Sequence, residues 1–170
     1  MTTQWEPVEI RVIDALAREL DLAELPPHTT LRYRQPLAVM PSDCPLLTLW
    51  LIQKRYAAQT VAYYDSGLAI GISWQEEAIE QAETLVEDED ASRSLLRAMS
   101  IIEDVIFTVS INGLSVERVE QEDGREKDAV YAVKPLSIDL SAPAGVENGL
   151  VEGYAMTVEV DLTQTKVRGE

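Results

Sequence analysis

The sequence predicts one α+β (α/β) domain in which two helices pack on a mostly antiparallel mixed sheet. Residues 7–20 and 92–109 each carry apolar side chains at helical spacing, and residues 151–163 alternate strictly between apolar and polar side chains. A helix with a single apolar stripe needs a flat apolar partner to bury that stripe. We therefore expect both helices to lie on one face of the sheet.

The first predicted helix begins after Glu6-Pro7, because a proline at the first helical position gives up an amide hydrogen that would be unpaired anyway. Its apolar stripe recurs every four residues, at Val8, Val12, Leu16 and Leu20. We expect this helix to end before Pro26-Pro27.

The second predicted helix has Asp90 as its N-terminal cap and ends at Asn112-Gly113, since both residues tolerate the left-handed conformation of helix ends. Ser73-Trp74-Gln75-Glu76 fits a capping box and predicts a short helix before it. The run at 87–90 is expected to stay outside the helix. The stripe that faces the core consists of Leu95, Met99, Ile102, Ile106 and Val109.

Strands are predicted in the remaining apolar segments. Leu31 and Tyr33 indicate a short edge strand. The most apolar run, residues 46–52, predicts a central strand. If Trp50 in this strand is fully buried, Trp50→Ala should lower the free energy of unfolding by about 3 to 5 kcal/mol. Residues 53–66 form a long hairpin arm to the next strand, 68–73. Later segments are a ragged strand near Val116 before a turn at Asp123-Gly124, a strand over 130–140 interrupted near Pro135, a long connection over 141–150, and the closing strand.

Length and charge bound the class of protein. The 170 residues fit one domain, expected over residues 1–165 with a frayed tail at 166–170. Of the net charge of −16, residues 61–170 carry eight basic against twenty-three acidic side chains. Such a surface repels phosphates, so we expect no direct nucleic-acid or anionic-membrane binding. The N-terminus has no leader pattern, which favours synthesis in the cytoplasm.

Residues able to do chemistry are few. His28 follows two prolines in a polar loop, and Cys44 lies between Asp43 and Pro45 without a nearby cation to lower its pKa. The acidic block 76–90 lacks the alternating ligands and glycine of a calcium loop, and no glycine-rich phosphate loop is present. The sequence therefore predicts no catalytic site, no metal site and no cofactor.

Partner-binding residues are expected on the surface. Arg32 and Arg34 are predicted on one face of the edge strand, where they serve either solubility and protection of the edge or a partner contact. The arm carries Tyr56, Tyr63 and Tyr64, and aromatic side chains at loop tips are frequent interface anchors. The connection 141–150 is a second candidate contact segment.

The order of these elements resembles the tail terminator, or tail-completion, family of long-tailed bacteriophages. The resemblance covers most of the chain as a layout and an apolar pattern. The segments that carry it are Cys44-Pro45-Leu46-Leu47-Thr48-Leu49-Trp50-Leu51, the arm, Leu68-Ala69-Ile70-Gly71-Ile72, the helix 94–107, and Gly153-Tyr154-Ala155-Met156-Thr157-Val158-Glu159-Val160.

The resemblance implies a structural protein without catalytic activity. It would form a ring, expected to be a hexamer, at the head-proximal end of the virion tail. There it would cap the tail tube protein, end tube polymerisation and present a surface to the head–tail connector protein. A negatively charged channel would let DNA pass without adhering. The acidic insertion at 76–90 and the connection at 141–150 depart from the family pattern.

Two other classes remain open. An acidic inhibitor that mimics DNA would display its carboxylates on one long face and remain a monomer or dimer. A small enzyme would require a pocket with a coupled pair of acids. The mass in solution and the shape of the surface distinguish these classes.

Overall fold

The computed structural model describes residues 6–35, 39, 41–59, 62–78, 85–116, 129–146 and 149–167. Within these residues six strands form one curled, half-barrel sheet, and two helices pack on it, which confirms the predicted α+β class. In chain order the elements are α1 (Val8–Asp21), β1 (Thr29–Tyr33), a 3₁₀ turn (Pro41–Asp43), β2 (Leu46–Gln59), β3 (Ala62–Ala78), α2 (Leu85–Asn112), β4 (Leu114–Val116), β5 (Ala129–Val146) and β6 (Gly149–Val167).

The sheet has the strand order β1-β2-β3-β6-β5-β4. Only β1 and β2 pair in parallel, and the other neighbours in the order are antiparallel. Two long hairpins, β2–β3 and β5–β6, form the centre of the sheet, and β3 joins them through β6. The short strands β1 and β4 lie at the two edges.

The core lies between the helices and one face of the sheet, which we call the inner face. Alternate residues of β3 and β6 point to it, so Ile70 and Val158, which are register partners, are both fully buried there. The stripe of α1 confirms its prediction, since Val12, Leu16 and Leu20 have no exposed surface. The same core includes Leu95, Ala98, Ile102, Ile106 and Val109 of α2.

The second helix is longer than predicted. It begins at Leu85, so Glu87-Asp88-Glu89-Asp90 belongs to the helix and Asp90 is not its cap. Acidic residues in the first turns interact favourably with the positive end of the helix dipole, which makes this run compatible with a helix start. The predicted end is confirmed: Gly113 has a φ of +84°, and its amide donates to the Val109 carbonyl at 2.7 Å.

The capping-box helix predicted at 73–76 is wrong, because β3 continues through Ala78. Trp74 is completely buried on the inner face, and its indole Nε1 donates to Glu76 Oε1 at 2.8 Å. Strand pairing of these residues with β6 and burial of the indole outweigh a local cap that would satisfy only two amides.

The two hairpins differ in how well the sequence predicted them. The arm at 53–66 is confirmed as a continuous strand pair, whereas the predicted long connection at 141–150 is wrong: β5 extends to Val146 and pairs with Gly149 of β6. Register shifts between Pro135 and Ser137 and between Ser141 and Ala144 let β5 continue past its prolines. The turn predicted at 123–124 lies outside the described residues. Lys166 and Val167, placed by sequence in the frayed tail, continue β6.

The opposite, outer face of the sheet carries no helix of the described chain. At one end the segment around the 3₁₀ turn folds over it, where Val39, Leu46 and Val151 form a small second cluster with Leu31 and Cys44. Trp50 lies on this outer face and is only partly buried, over Gly71 of β3. The central strand is therefore predicted correctly, but the indole of Trp50 is not part of the main core.

Candidate interaction surface

The β2–β3 arm continues beyond the point where β3 stops pairing with β6. β3 pairs with β6 only from Gly67 onward, so the part of the arm from Tyr56 to Gln59 and from Ala62 to Asp65 is a two-stranded ribbon. At about 3.3 Å per residue it extends roughly 15 Å past that point. A free two-stranded ribbon has little stability of its own in water, so its conformation depends on its base or on a partner.

Two ion pairs fix the base of the arm, one on each face of the sheet. Lys54 pairs with Glu9 of α1 on the inner face, and Arg55 Nη1 donates to Glu159 Oε1 of β6 at 2.5 Å on the outer face. Burial raises the pKa of Glu9, but the bond and charge of Lys54 outweigh burial and hold the pKa below its usual value. The arm therefore leaves the body of the protein in a defined direction.

Of the three tyrosines predicted to bind partners, Tyr56 is described fully. Its side chain is 61% exposed, and the Lys54 ammonium lies 5.7 Å from the centre of its ring. Tyr63 and Tyr64 lie on the returning strand of the ribbon, in register with Ala58 and Ala57. Their side chains lie outside the described part, so the structure brings the three backbones together in one arm and leaves the ring positions of two undescribed.

Arg32 has a structural role that the sequence did not reveal. Its guanidinium donates to Asp14 Oδ1 at 3.1 Å and lies 3.8 Å from Asp21, both on α1. The Tyr33 hydroxyl donates to the same Asp14 oxygen at 2.7 Å, and this bond, with burial and the charge of Asp14, raises the pKa of Tyr33. Arg32 thus fastens the edge strand to α1.

Arg34 does not share a strand face with Arg32. The strand ends at Tyr33, whose φ of 78° lies in the left-handed region that a tyrosine seldom adopts, and Arg34 follows it as an exposed residue. The structure therefore separates the two arginines that the alternation placed together, and it leaves Arg34 as the more accessible of the pair.

Two strands have long unpaired edges among the described residues. β1 pairs with β2 only from Leu46 to Trp50, and β4 pairs with β5 only from Ala129 to Tyr131. Residues 51–59 of β2 and 132–146 of β5 therefore have no described strand on one side. Unpaired backbone groups of this kind accept a further strand from another chain.

Cys44, His28 and Glu76 each contact neighbouring residues of the fold. The Cys44 thiol is half-buried, and burial together with Asp43, Glu77 and Glu76 raises its pKa to about 11, so it stays protonated at neutral pH. His28 Nδ1 lies 2.8 Å from the Pro26 carbonyl, and its ring packs edge-to-face on Trp74 at 5.3 Å. Buried Glu76 accepts from Trp74 and from Ser94 Oγ at 3.3 Å.

The described surface offers shallow depressions. One of about 330 Å³ lies where α2 turns into β4 and includes Gly113 and Val130; another of about 290 Å³ includes Pro26, Arg93 and Arg97. Within the described residues no group of three or more His, Cys, Asp or Glu side chains could hold a metal ion. None of the described helices is long and apolar enough to cross a membrane.

Sequence reasoning missed exposed apolar residues on α2. Leu96, Phe107 and Ile111 are 49%, 45% and 84% exposed on the side of the helix that faces solvent. The sequence contained a signal for them, because these three apolar residues do not share the helical spacing of the stripe that faces the core.

In comparisons with known proteins, no protein-family model matches the chain, and no curated protein matches it. The fold and its surface define an α+β protein whose distinctive features are an extended aromatic arm, open strand edges and an apolar outer helix face. Exposed aromatic side chains and open strand edges are frequent at protein–protein interfaces.

Proposed function

We propose that the protein is a ring-forming tail terminator of a long-tailed bacteriophage, which caps the tail tube protein and provides the surface for the head–tail connector. The β2–β3 arm is the observation that carries this proposal. It combines a base held by two ion pairs with a two-stranded ribbon that continues past the end of the β3–β6 pairing and carries three tyrosines. Such an arm is suited to reach a neighbouring subunit or the end of a tube.

The open strand edges support self-assembly. The unpaired stretch of β2 lies near one side edge of the sheet and that of β5 near the opposite edge. Two different surfaces on opposite sides of one subunit make a heterologous contact, which closes into a ring when the rotation between neighbours is suitable.

The net charge gives the proposed ring a dependence on salt. Subunits of charge −16 repel one another, and ions at physiological strength screen this repulsion beyond roughly 8 Å. We expect the free protein to assemble more readily as the salt concentration increases. At low protein concentration we expect the ring to form only on the end of the tube.

The test is negative-stain electron microscopy of the protein mixed with tail tube protein from the phage that encodes it. We expect caps at one end of tubes of limited length. A variant with Tyr56, Tyr63 and Tyr64 changed to serine should lose capping, whereas Leu22→Ser, which removes an apolar side chain that is 78% exposed just after α1, should keep it. Far-ultraviolet circular dichroism confirms that both variants fold.

A wild-type protein that leaves tube ends uncapped would contradict the proposal. The alternative is then an acidic DNA mimic, which predicts that the protein competes with DNA for a DNA-binding protein and that this competition weakens steeply with salt. Equal capping by the tyrosine variant and by Leu22→Ser would also remove the arm from the mechanism.

A further inference from the structure

The solvent side of α2 carries a second apolar stripe that no described element covers. Leu96, Ser100, Phe107 and Ile111 are all exposed. At 3.6 residues per turn these positions fall within an arc of roughly 60°. The stripe, with Arg93 at its start, extends over about 27 Å of helix, at 1.5 Å per residue.

Two opposite charges border this stripe on the same flank. Arg97 and Asp104 are exposed, and within the part of the chain that the structure describes neither side chain forms an ion pair. They are seven residues apart, about 10 Å along the axis, which is too far to pair within one helix. Helix geometry places Leu96 and Phe107 on the other flank.

We propose that this face binds a second copy of itself, with the two α2 helices antiparallel across a two-fold axis near Ser100. The axis keeps each flank of one helix against the same flank of its partner. Leu96 then packs against Phe107 of the second copy, and Arg97 pairs with Asp104 of the second copy. Each of these contacts occurs twice, because a two-fold interface is self-complementary.

The register follows from the sequence positions. In an antiparallel pair, contacting residues have numbers with a nearly constant sum; it is 203 for Leu96 with Phe107, 204 for Arg93 with Ile111 and 201 for Arg97 with Asp104. The spread of three corresponds to at most about 4.5 Å along the axis, within the reach of an arginine side chain. The small Ser100 near the centre allows the helices to approach closely.

Charge complementarity is the reason to place a second copy on this face. In this register Arg97 of each copy lies opposite Asp104 of the other, whereas Glu103, on the Leu96 flank, approaches its own mate and opposes the contact. A contact about 27 Å long between two helices lies at the small end of specific interfaces, so we expect a dimer that dissociates in the micromolar range. Because salt screens the net repulsion between the copies, the dimer should become tighter as salt rises to physiological strength.

This dimer is independent of the proposed ring, because the dimer uses the solvent side of α2 and the ring uses the arm and the strand edges. Analytical ultracentrifugation distinguishes the two by mass. A wild-type protein that caps tubes but forms no dimer would refute this inference alone. A wild-type protein that dimerises but leaves tubes uncapped would refute the proposed function alone.

The decisive experiment is a charge exchange measured by sedimentation. Arg97→Asp and Asp104→Arg should each weaken dimerisation about tenfold or more, because each places like charges together twice. The double variant should recover to within about threefold of wild type. Arg34→Asp, at an exposed position outside α2, is the control for the change in net charge and should leave the dissociation constant unchanged.

Cross-linking tests the register in a Cys44→Ser background. Ser100→Cys should be joined to its symmetry mate by a short bismaleimide, whereas Ser110→Cys, about 25 Å from its own mate in this register, should not. A monomer at tens of micromolar protein, a double charge variant no tighter than the single ones, or equal cross-linking at both positions would overturn the proposal.

Discussion

The six-membered ring of Trp50 lies over Gly71 on the outer face of the sheet, in the space that a Cβ atom on Gly71 would occupy. An ideal Cβ there would lie 2.8 Å from Cη2 of the indole, closer than such contacts occur. The two residues are register partners in the β2–β3 pair. The glycine thus allows a large aromatic side chain to lie flat on a sheet face that no helix covers.

We expect Gly71→Ala to destabilise the fold by about 1 to 3 kcal/mol, because the added methyl group forces the indole off the sheet. In a Trp50→Ala background the same change should cost much less, since the space is then free. Urea denaturation of the four proteins measures the coupling. Equal costs of Gly71→Ala in both backgrounds would show that Trp50 is not the obstacle.

The Glu9–Lys54 ion pair should stabilise the base of the arm above acidic pH. The folded-state pKa of Glu9 is lowered, so its contribution is present above the unfolded value of 4.5 and is lost as pH falls through the folded pKa. Glu9→Gln should lower stability by about 1 kcal/mol at pH 7 and by less at pH 3. Glu24→Gln, at an exposed position, is the control.

Hydrogen exchange provides a second readout of that ion pair. Amides of β2 near Lys54 should exchange faster in Glu9→Gln than in wild type at neutral pH, because the base of the ribbon opens more often. Unchanged exchange in this segment would show that the Glu9–Lys54 ion pair does not hold the base of the arm.

The buried hydroxyl of Tyr154 is expected to be a cost to the fold. It has no hydrogen-bond partner among the described residues, and burial followed by the charges of Glu76 and Glu103 raises its pKa. Tyr154→Phe should therefore be neutral or stabilising by up to about 1 kcal/mol at pH 7 in thermal denaturation. A loss above that size would reveal a bond that the hydroxyl makes.

The same variant has a pH dependence with a defined sign. Because the folded-state pKa is raised, ionisation of this phenol favours the unfolded chain, so it leaves the stability unchanged below the unfolded value of 10.0 and lowers it as pH rises above that value. Wild type should lose more stability than Tyr154→Phe between pH 9 and 11. The control is Tyr56→Phe, which changes a hydroxyl on an exposed side chain.

Cys44 should react slowly with alkylating agents at pH 8. With a pKa of about 11 instead of 9.0, its thiolate is about 100-fold scarcer at that pH. Iodoacetamide labelling followed by mass spectrometry should show a rate that still rises between pH 9 and 11 and that becomes ordinary in urea. Asp43→Asn should accelerate the native reaction, because one of the charges that raise the pKa is removed.

The sequence by itself determined the elements whose pattern is periodic over many residues. The four-residue spacing of Val12, Leu16 and Leu20 and the alternation from Tyr154 to Val160 each leave one way to bury the apolar side chains, and the structure uses it. Local signals failed where long-range pairing competed with them. The capping box at 73–76 lost to strand pairing with β6, and the proline-containing segment after Leu140 became strand because β6 lies beside it.

The surface features depended on tertiary structure because their partners are distant in sequence. Arg32 meets Asp14 across 18 positions, and Arg55 meets Glu159 across 104, so no local pattern could predict which arginine remains accessible. The sequence placed three tyrosines in one arm, since hairpin length is a local property. Only the folded sheet decided that the arm continues past its pairing with β6, that two strand edges stay open and that Trp50 rests on Gly71, because each depends on which distant strands pair and where the pairing ends.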